Sequence, residues 1–328
     1  METLVKKVNS DERLSFAEYV DFFDSMVNGN LTEAQIGSAL IALRLKGESE
    51  EEISAAATVL NRYKIKLDVD LKNKVDTCGT GGDGKSTINV STIVSIVLGS
   101  FGFNVVKHGN VAQSGKVGSA DILEMMGVPV KLTKEEAEKF LLKHNFVFLF
   151  APNYHPILKS VGKIRRELKV PTIFNYLGPM LNPADPEYQL IGINSVAKLD
   201  VYAKALVRLN RNNILVVSSK DGYDEISSCD ITFARKVTGG KIEKLEINPK
   251  DFFKPFDMPR VENSDEATEL FKRAIEGGDE DLNNLIAINT AYAFQLIENE
   301  DLNDIFERIK NKLKNGEVRK YFESLRGN

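Results

Sequence analysis

Residues 76–92 read Asp-Thr-Cys-Gly-Thr-Gly-Gly-Asp-Gly-Lys-Ser-Thr-Ile-Asn-Val-Ser-Thr. Gly79, Gly81, Gly82 and Gly84 fall within six residues. Lacking Cβ atoms, they let the backbone approach a ligand closely and turn its amides toward it. A short extended run, 75–78, precedes the loop, and an apolar helical run, 90–101, follows it. Asn89, Ser91 and Thr92 open that helix, whose free amides and positive end favour an anion, best matched by phosphate. Two overlapping patterns also fit, GxxxxGK[ST] from Gly79 to Ser86 and GxGxxG from Gly79 to Gly84. Context weakens both. A P-loop helix starts at its Lys-Ser pair, whereas Thr87-Ile88-Asn89 delays this one, and the preceding strand is poor in apolar residues. A dinucleotide fold needs an acidic residue about 20 positions on; here the next strand ends in Lys107-His108.

The texture on either side of this stretch sets the fold class. Upstream, Ser15-x-x-Glu18, Thr32-x-x-Gln35 and Ser49-x-x-Glu52 are capping boxes, each followed by apolar residues at helical spacing. They predict three short helices within about 65 residues. Downstream, candidate strands 75–78, 104–107, 146–150, 189–194 and 214–218 alternate with candidate helices 90–101, 120–126, 134–143, 155–168 and 198–209. That alternation predicts a mainly parallel sheet covered by helices, with ligands at the carboxyl ends of its strands. Residues 230–250 read as a hairpin turning at Thr238-Gly239-Gly240, and the last 65 residues read as generic helices. The expected architecture is α/β. A small N-terminal α-helical domain (1–69, with the segment at about 160–182 packed against it) joins a larger α/β domain (70–328) with a mainly parallel central sheet flanked by helices.

Composition narrows the function classes. At 328 residues the chain has room for about two domains at roughly 150 residues each. Its 42% hydrophobic and 27% charged content excludes a chain disordered throughout. Forty-three Lys and Arg against 47 Asp and Glu leave a net charge of −4, the wrong sign for a dedicated nucleic-acid binder. Two distant cysteines, Cys78 and Cys229, make neither a disulfide framework nor a zinc site. The first 16 residues contain no apolar leader, and no apolar run reaches membrane length. The expectation is a cytoplasmic protein.

A second loop, Lys107-His108-Gly109-Asn110-Val111-Ala112-Gln113-Ser114-Gly115-Lys116-Val117-Gly118-Ser119-Ala120-Asp121, again leads from a strand into a helix, with Ser119 as the expected cap. Two phosphate-suited loops on successive strands imply a ligand with more than one phosphate cluster. Taken in order, GTGGD…NVST, KHGN…GSADILE, IRREL…TIFNYLGPMLNPA and DGYDEIS at 221–227 resemble the anthranilate phosphoribosyltransferases. The wider fold is shared with pyrimidine nucleoside phosphorylases, which carry a KHGN-like loop but differ where this chain has GSADILE.

The resemblance implies transfer of the phosphoribosyl group of phosphoribosyl diphosphate (PRPP) to the amine of anthranilate, releasing diphosphate, the second step of tryptophan biosynthesis. It implies a PRPP site at Gly79, Gly82, Asp83, Thr87, Asn89, Val90, Ser91, Thr92, Lys107, Gly109, Asn110, Ser114, Gly115 and Ser119. It implies an anthranilate site at Gly79, Asn110 and Arg165, with His108 and His155 beside it. Mg²⁺ would be held by Ser91, Asp224 and Glu225; hard oxygen donors suit it, and it offsets charge on a departing diphosphate. No group is implied as a certain acid, base or nucleophile, so catalysis would be electrostatic and positional. A homodimer through the N-terminal helices is also implied.

Read alone, these residues leave more open. Asp224-Glu225, after Asp221-Gly222, reads more readily as a solvated acidic turn. Arg165 and its neighbour Arg166 point about 100° apart on a helix, and spacing does not choose between them. His144, at a helix end, reads as a partner for the helix dipole. Val111 stands where the family commonly has arginine, and Gln113 and Val117 are also unusual there. The alternatives are a related phosphoribosyltransferase or nucleoside phosphorylase with another acceptor, and a non-catalytic nucleic-acid-binding paralogue.

Overall fold

The computed structural model describes residues 2–81, 85, 87–112 and 117–327. Of the expected site residues, Gly82, Asp83, Ser114 and Gly115 lie outside these. The N-terminal region holds four helices, Glu2–Val8, Phe16–Val27, Glu33–Lys46 and Glu50–Tyr63. All three capping boxes form with both reciprocal bonds. The first helix corrects the expectation of three. It begins too near the chain start for a cap motif to be read. Tertiary contacts hold it instead, through buried Val5 and Val8 and the Lys46 ammonium, which donates to the Val8 and Ser10 carbonyls at 2.8 and 3.2 Å.

Seven strands form one sheet: β1 (Lys74–Gly79), β2 (Asn104–Gly109), β3 (Phe146–Phe150), β4 (Tyr188–Gly192), β5 (Ile214–Ser219), β6 (Thr232–Thr238) and β7 (Lys241–Ile247). Their order is β3-β2-β1-β4-β5-β6-β7. The first five run parallel, and β6 and β7 form the antiparallel hairpin. Gly239 and Gly240 turn it with φ of 57° and 73°, which favours glycine at both places. The chain builds outward from β1 through β2 to β3, then returns to place β4 on the other side of β1. This reversal opens the crevice where such sheets bind ligands, above the carboxyl ends of β1 and β4.

Side chains alternate across the sheet. On one face Val75, Val105, Leu190, Leu215 and Val217 join a core shared with the helix Val90–Ser100 and the C-terminal helices. That helix is buried along almost its whole length, which explains its unbroken apolar character. On the other face Cys78, Ile191, Ile214 and Val216 share a core with the N-terminal helices, with Val161, Ile164, Ile173, Phe174 and Leu177, and with the helix Leu199–Arg208. The helical region therefore buries its apolar side against the sheet.

Three local expectations are corrected. The helix expected over 155–168 begins at Lys159, after a 3₁₀ turn at Pro156–Leu158. Ser119 is the first helical residue and not the cap of Ser119–Met125. The Asp121 carboxylate does the capping, accepting the Gly118 and Ala112 amides at 2.8 and 2.9 Å. His144 ends its helix, but burial and the Lys143 charge lower its pKa and so oppose the charged form that a dipole partner needs; its ring lies 4.4 Å from that of Phe140. Among the described residues no helix is long and apolar enough to cross a membrane.

Candidate active site

β1 was expected to be poor in apolar residues, and beside Val75 and Cys78 it buries two polar side chains. Thr77 and Asp76 are both fully buried, on opposite faces. The Thr77 hydroxyl lies 2.7 Å from the Ser91 carbonyl and 2.6 Å from the Ser95 hydroxyl, tying β1 to the first turn of the following helix. Asp76 is a buried junction. Its carboxylate accepts from the Asn182 amide group at 2.9 Å, the Gln189 amide group at 3.3 Å and the His108 backbone amide at 3.3 Å. Burial raises its pKa, and the Lys107 charge and bonds from Asn182, Cys78 and the His108 amide oppose the rise.

The strand period divides the tip of β2 between two chemistries. Lys107 points to the face of the helix Val90–Ser100, where its ammonium donates to the Thr77 carbonyl at 2.6 Å and the Ser91 hydroxyl at 3.3 Å. It is 1% exposed, and burial lowers its pKa. A desolvated ammonium beside a helix start is a strong anion ligand. His108 points to the opposite face. Its Nδ1 lies 3.1 Å from the Gly178 carbonyl, which can only accept, so Nδ1 carries the proton and Nε2 is the acceptor. Its ring centroid lies 5.2 Å from that of His155. Burial depresses the pKa of His108 to about 3 and of His155 to about 4, so both rings are neutral at ordinary pH. His108 Nε2 and both His155 nitrogens are buried without a hydrogen bond.

Arg165 belongs to this second face. Its guanidinium stacks 5.2 Å from the centre of Phe174, four residues before Gly178. Burial lowers its pKa, and among the described residues no carboxylate pairs with it. Arg166 is exposed. Burial thus distinguishes the two arginines, which spacing did not. Asn110 follows β2; its side-chain oxygen accepts the Val111 amide at 2.8 Å, and its carbonyl accepts from the Ala120 amide at 3.2 Å and the Ser119 hydroxyl at 3.3 Å. At Gly109 a Cβ would press into the Phe148 ring.

Around the helix start the expected residues divide. Asn89 is the cap residue and donates to the Val117 carbonyl at 3.2 Å, joining the two loops. Thr87 bridges to Arg260. The Val90 side chain is core, so only its backbone is available to a ligand. Thr92 is fully buried and its hydroxyl makes no hydrogen bond.

Asp224 and Glu225 do not form a solvated turn. Residues 219–223 fold back on β5 through the Ser219 amide on the Tyr223 carbonyl (3.0 Å) and the Tyr223 amide on the Ser219 hydroxyl (2.8 Å). Asp224 then lies against two glycines that pair in register at the tips of β1 and β4, Gly79 and Gly192. A Cβ on either would collide with Asp224. The Asp224 carboxylate accepts the Gly81 amide at 3.0 Å, and Lys85 reaches the Asp221 carbonyl and the Tyr223 ring. The acidic loop and the described part of the glycine loop are thus one unit. Thr77, Ser91, Gly192, Asp224, Glu225 and Asn289 line a common small cavity.

Four of these residues were missed in the sequence. Gly192 ends a strand, Asp76 and Gln189 are polar within strands, and Asn289 interrupts the apolar run LIAINTAYAF. Each carried a readable signal, a residue at odds with its element.

Comparison with known proteins agrees with this arrangement. Residues 71–319 match the model of a glycosyl transferase family a/b domain, and residues 2–63 match that family's helical bundle domain. The chain is 41% identical to the anthranilate phosphoribosyltransferase of Methanococcus maripaludis, across 98% of this chain and 99% of that protein. The chain belongs to the anthranilate phosphoribosyltransferase family. The family's enzyme from Thermus thermophilus superposes with a TM-score of 0.88 at 30% identity, covering 98% of each chain. The family's enzyme from Saccharomyces cerevisiae, solved in complex with PRPP and Mg, shares the fold with a TM-score of 0.88 at 24% identity, covering 99% of this chain and 96% of that one.

Proposed function

We propose that this chain transfers the phosphoribosyl group of PRPP to the amine of anthranilate, giving N-(5-phosphoribosyl)anthranilate and diphosphate. The observation that carries the reading is the division at β2. A buried ammonium faces the helix start on one side of the sheet. On the other lie two neutral imidazoles packed edge to face and a guanidinium stacked on Phe174. An anionic phosphoribosyl donor and an aromatic carboxylate acceptor match these two sides.

Lys107, the helix start at Asn89–Thr92 and the loop residues Gly79, Gly82, Asp83, Thr87, Gly109, Ser114, Gly115 and Ser119 hold PRPP. Arg165 pairs with the anthranilate carboxylate through its two-pronged fork. Asn110, His108 and His155 flank the ring, and the His108 Nε2 lone pair accepts from the amine. With a pKa near 3 this imidazole is too weak a base to take the proton early. The amine attacks as the neutral nucleophile and sheds its proton after bonding to the ribosyl carbon. The residues contribute orientation and a fixed electrostatic field on the leaving diphosphate.

The donor set fits Mg²⁺. Ser91, Asp224 and Glu225 offer hard oxygens at one cavity. Among the described residues no cluster of three or more His, Cys, Asp or Glu could hold a metal by itself, so phosphate and water oxygens would complete the shell. When bound, the ion offsets the charge that builds on the departing diphosphate.

The test is loss of anthranilate fluorescence on mixing the protein with anthranilate, PRPP and Mg²⁺. Loss is expected only with both PRPP and metal present. A folded protein that binds PRPP but consumes no anthranilate would overturn the acceptor assignment. We also propose that two copies pair through the helical region, where Leu45, on the helix Glu33–Lys46, stands 80% exposed.

A further inference from the structure

We propose that Asn289, far along the chain in the helix Glu280–Ile297, is a positioning residue for Asp224 and Glu225, and through them for the cation and diphosphate of the transfer proposed above, on which this inference rests. Asn289 is 2% exposed within an otherwise apolar stretch. A carboxamide buried there is costly unless its groups are paired. One bond, from Nδ2 to the Leu285 carbonyl at 2.9 Å, stays within the helix. The others leave it, and both go to a single residue: Oδ1 accepts the Ile226 amide at 2.9 Å and Nδ2 donates to the Ile226 carbonyl at 2.9 Å.

Ile226 directly follows Glu225, and the Asn289 side chain engages both of its backbone groups as a neighbouring strand would. The Ile226 side chain is fully buried in the core behind it. On the opposite side Asp224 rests on Gly79 and Gly192, with no space for a Cβ at either. Residues 224–226 are therefore clamped between the strand tips and Asn289, and the two carboxylates project from the clamped segment. Asn283, on the same helix, offers a contrast: it donates to the Gly277 carbonyl at 2.8 Å and supports only the local helix start.

The test compares Asn289→Leu with wild type, and with Asn283→Leu as a control for general loosening. PRPP binding is measured by calorimetry on the full chain with and without Mg²⁺, alongside KM for each substrate. For Asn289→Leu we expect PRPP binding in Mg²⁺ to weaken roughly tenfold, the scale seen when a partner of a metal ligand is removed. Binding without Mg²⁺ and KM for anthranilate should hardly move, and Asn283→Leu should keep the Mg²⁺ effect. If Asn289→Leu does not fold, Asn289→Ser is measured by the same readouts with the same expectation. Mg²⁺-linked PRPP binding within twofold of wild type in a folded variant would overturn the proposal, as would equal rises in both KM values. Wild-type protein that binds no PRPP under either condition would overturn the transferase reading itself, and this inference with it.

Discussion

Adjacent residues in the candidate site have different surroundings because the backbone period separates them. Lys107 and His108 are neighbours in sequence, yet one reaches the Ser91 hydroxyl and the other the Gly178 carbonyl across the sheet. Arg165 and Arg166 divide in the same way on a helix: one stacks on Phe174, and the other is exposed. Removing Arg165 should therefore strip the acceptor of a charge-assisted pair. We expect Arg165→Ala to lower kcat/KM for anthranilate by roughly 10- to 100-fold, from about 1.5–3 kcal/mol for a bond to a charged group. KM for PRPP should stay near wild type, and Arg166→Ala should change neither. Steady-state kinetics with each substrate varied in turn would check this; equal losses in the two variants would remove Arg165 from the acceptor site. The motif around both arginines was legible in sequence. The choice between them was not, because it depends on which side of the helix meets Phe174.

At the scale of elements, the capping boxes were legible because each is a closed local circuit of four residues. The short first helix was not, because its stability comes from Lys46 and from packing. β1 shows the converse case. Its polar residues argued against a P-loop, and Asp76 sits in the middle of the sheet because three donors from β2, β4 and the 182 turn converge on it. Asp76→Ala would leave the Asn182 and Gln189 amides and the His108 N–H short of an acceptor in the interior. At about 1–3 kcal/mol for each buried group left unpaired, we expect a loss of at least about 3 kcal/mol in urea unfolding. Asp76→Asn, which retains one acceptor oxygen, should lose less. A loss below about 1 kcal/mol for Asp76→Ala would show that the donors find other partners.

For the whole molecule, the depressed histidines give stability a pH dependence of known sign. His108 and His155 titrate near 3 and 4 when folded, against 6.5 when free. Between those values the unfolded chain binds protons that the folded chain refuses. Their contribution is thus complete above about pH 6.5 and is lost as pH falls toward 4, with a limiting slope of about 1.4 kcal/mol per pH unit for each ring. We expect urea midpoints to drop from pH 7 to pH 5, and His155→Gln to lessen that drop by about 2 kcal/mol. An unchanged slope would mean that His155 charges freely in the folded state. At the level of assembly, Leu45→Glu is expected to halve the mass seen by light scattering, with the fold intact by circular dichroism. A wild-type mass of one chain would refute pairing outright.

What the sequence determined by itself was local or periodic. The capped helices, the β/α alternation and the hairpin at Gly239-Gly240 each follow from a few consecutive residues. The two phosphate-suited loops do too, since glycine freedom and a helix start act within one turn of chain. The tertiary structure decided what depends on distant segments meeting. It stacked Arg165 on Phe174 while leaving Arg166 exposed, and it moved the cap from Ser119 to Asp121. It turned an ordinary acidic turn into a seat on Gly79 and Gly192. It also brought Asn289 from the C-terminal helices, read as generic, to Ile226, 63 residues away in sequence. Burial and the demand that every buried polar group find a partner are properties of the packed chain. No window of sequence contains both partners of such a bond.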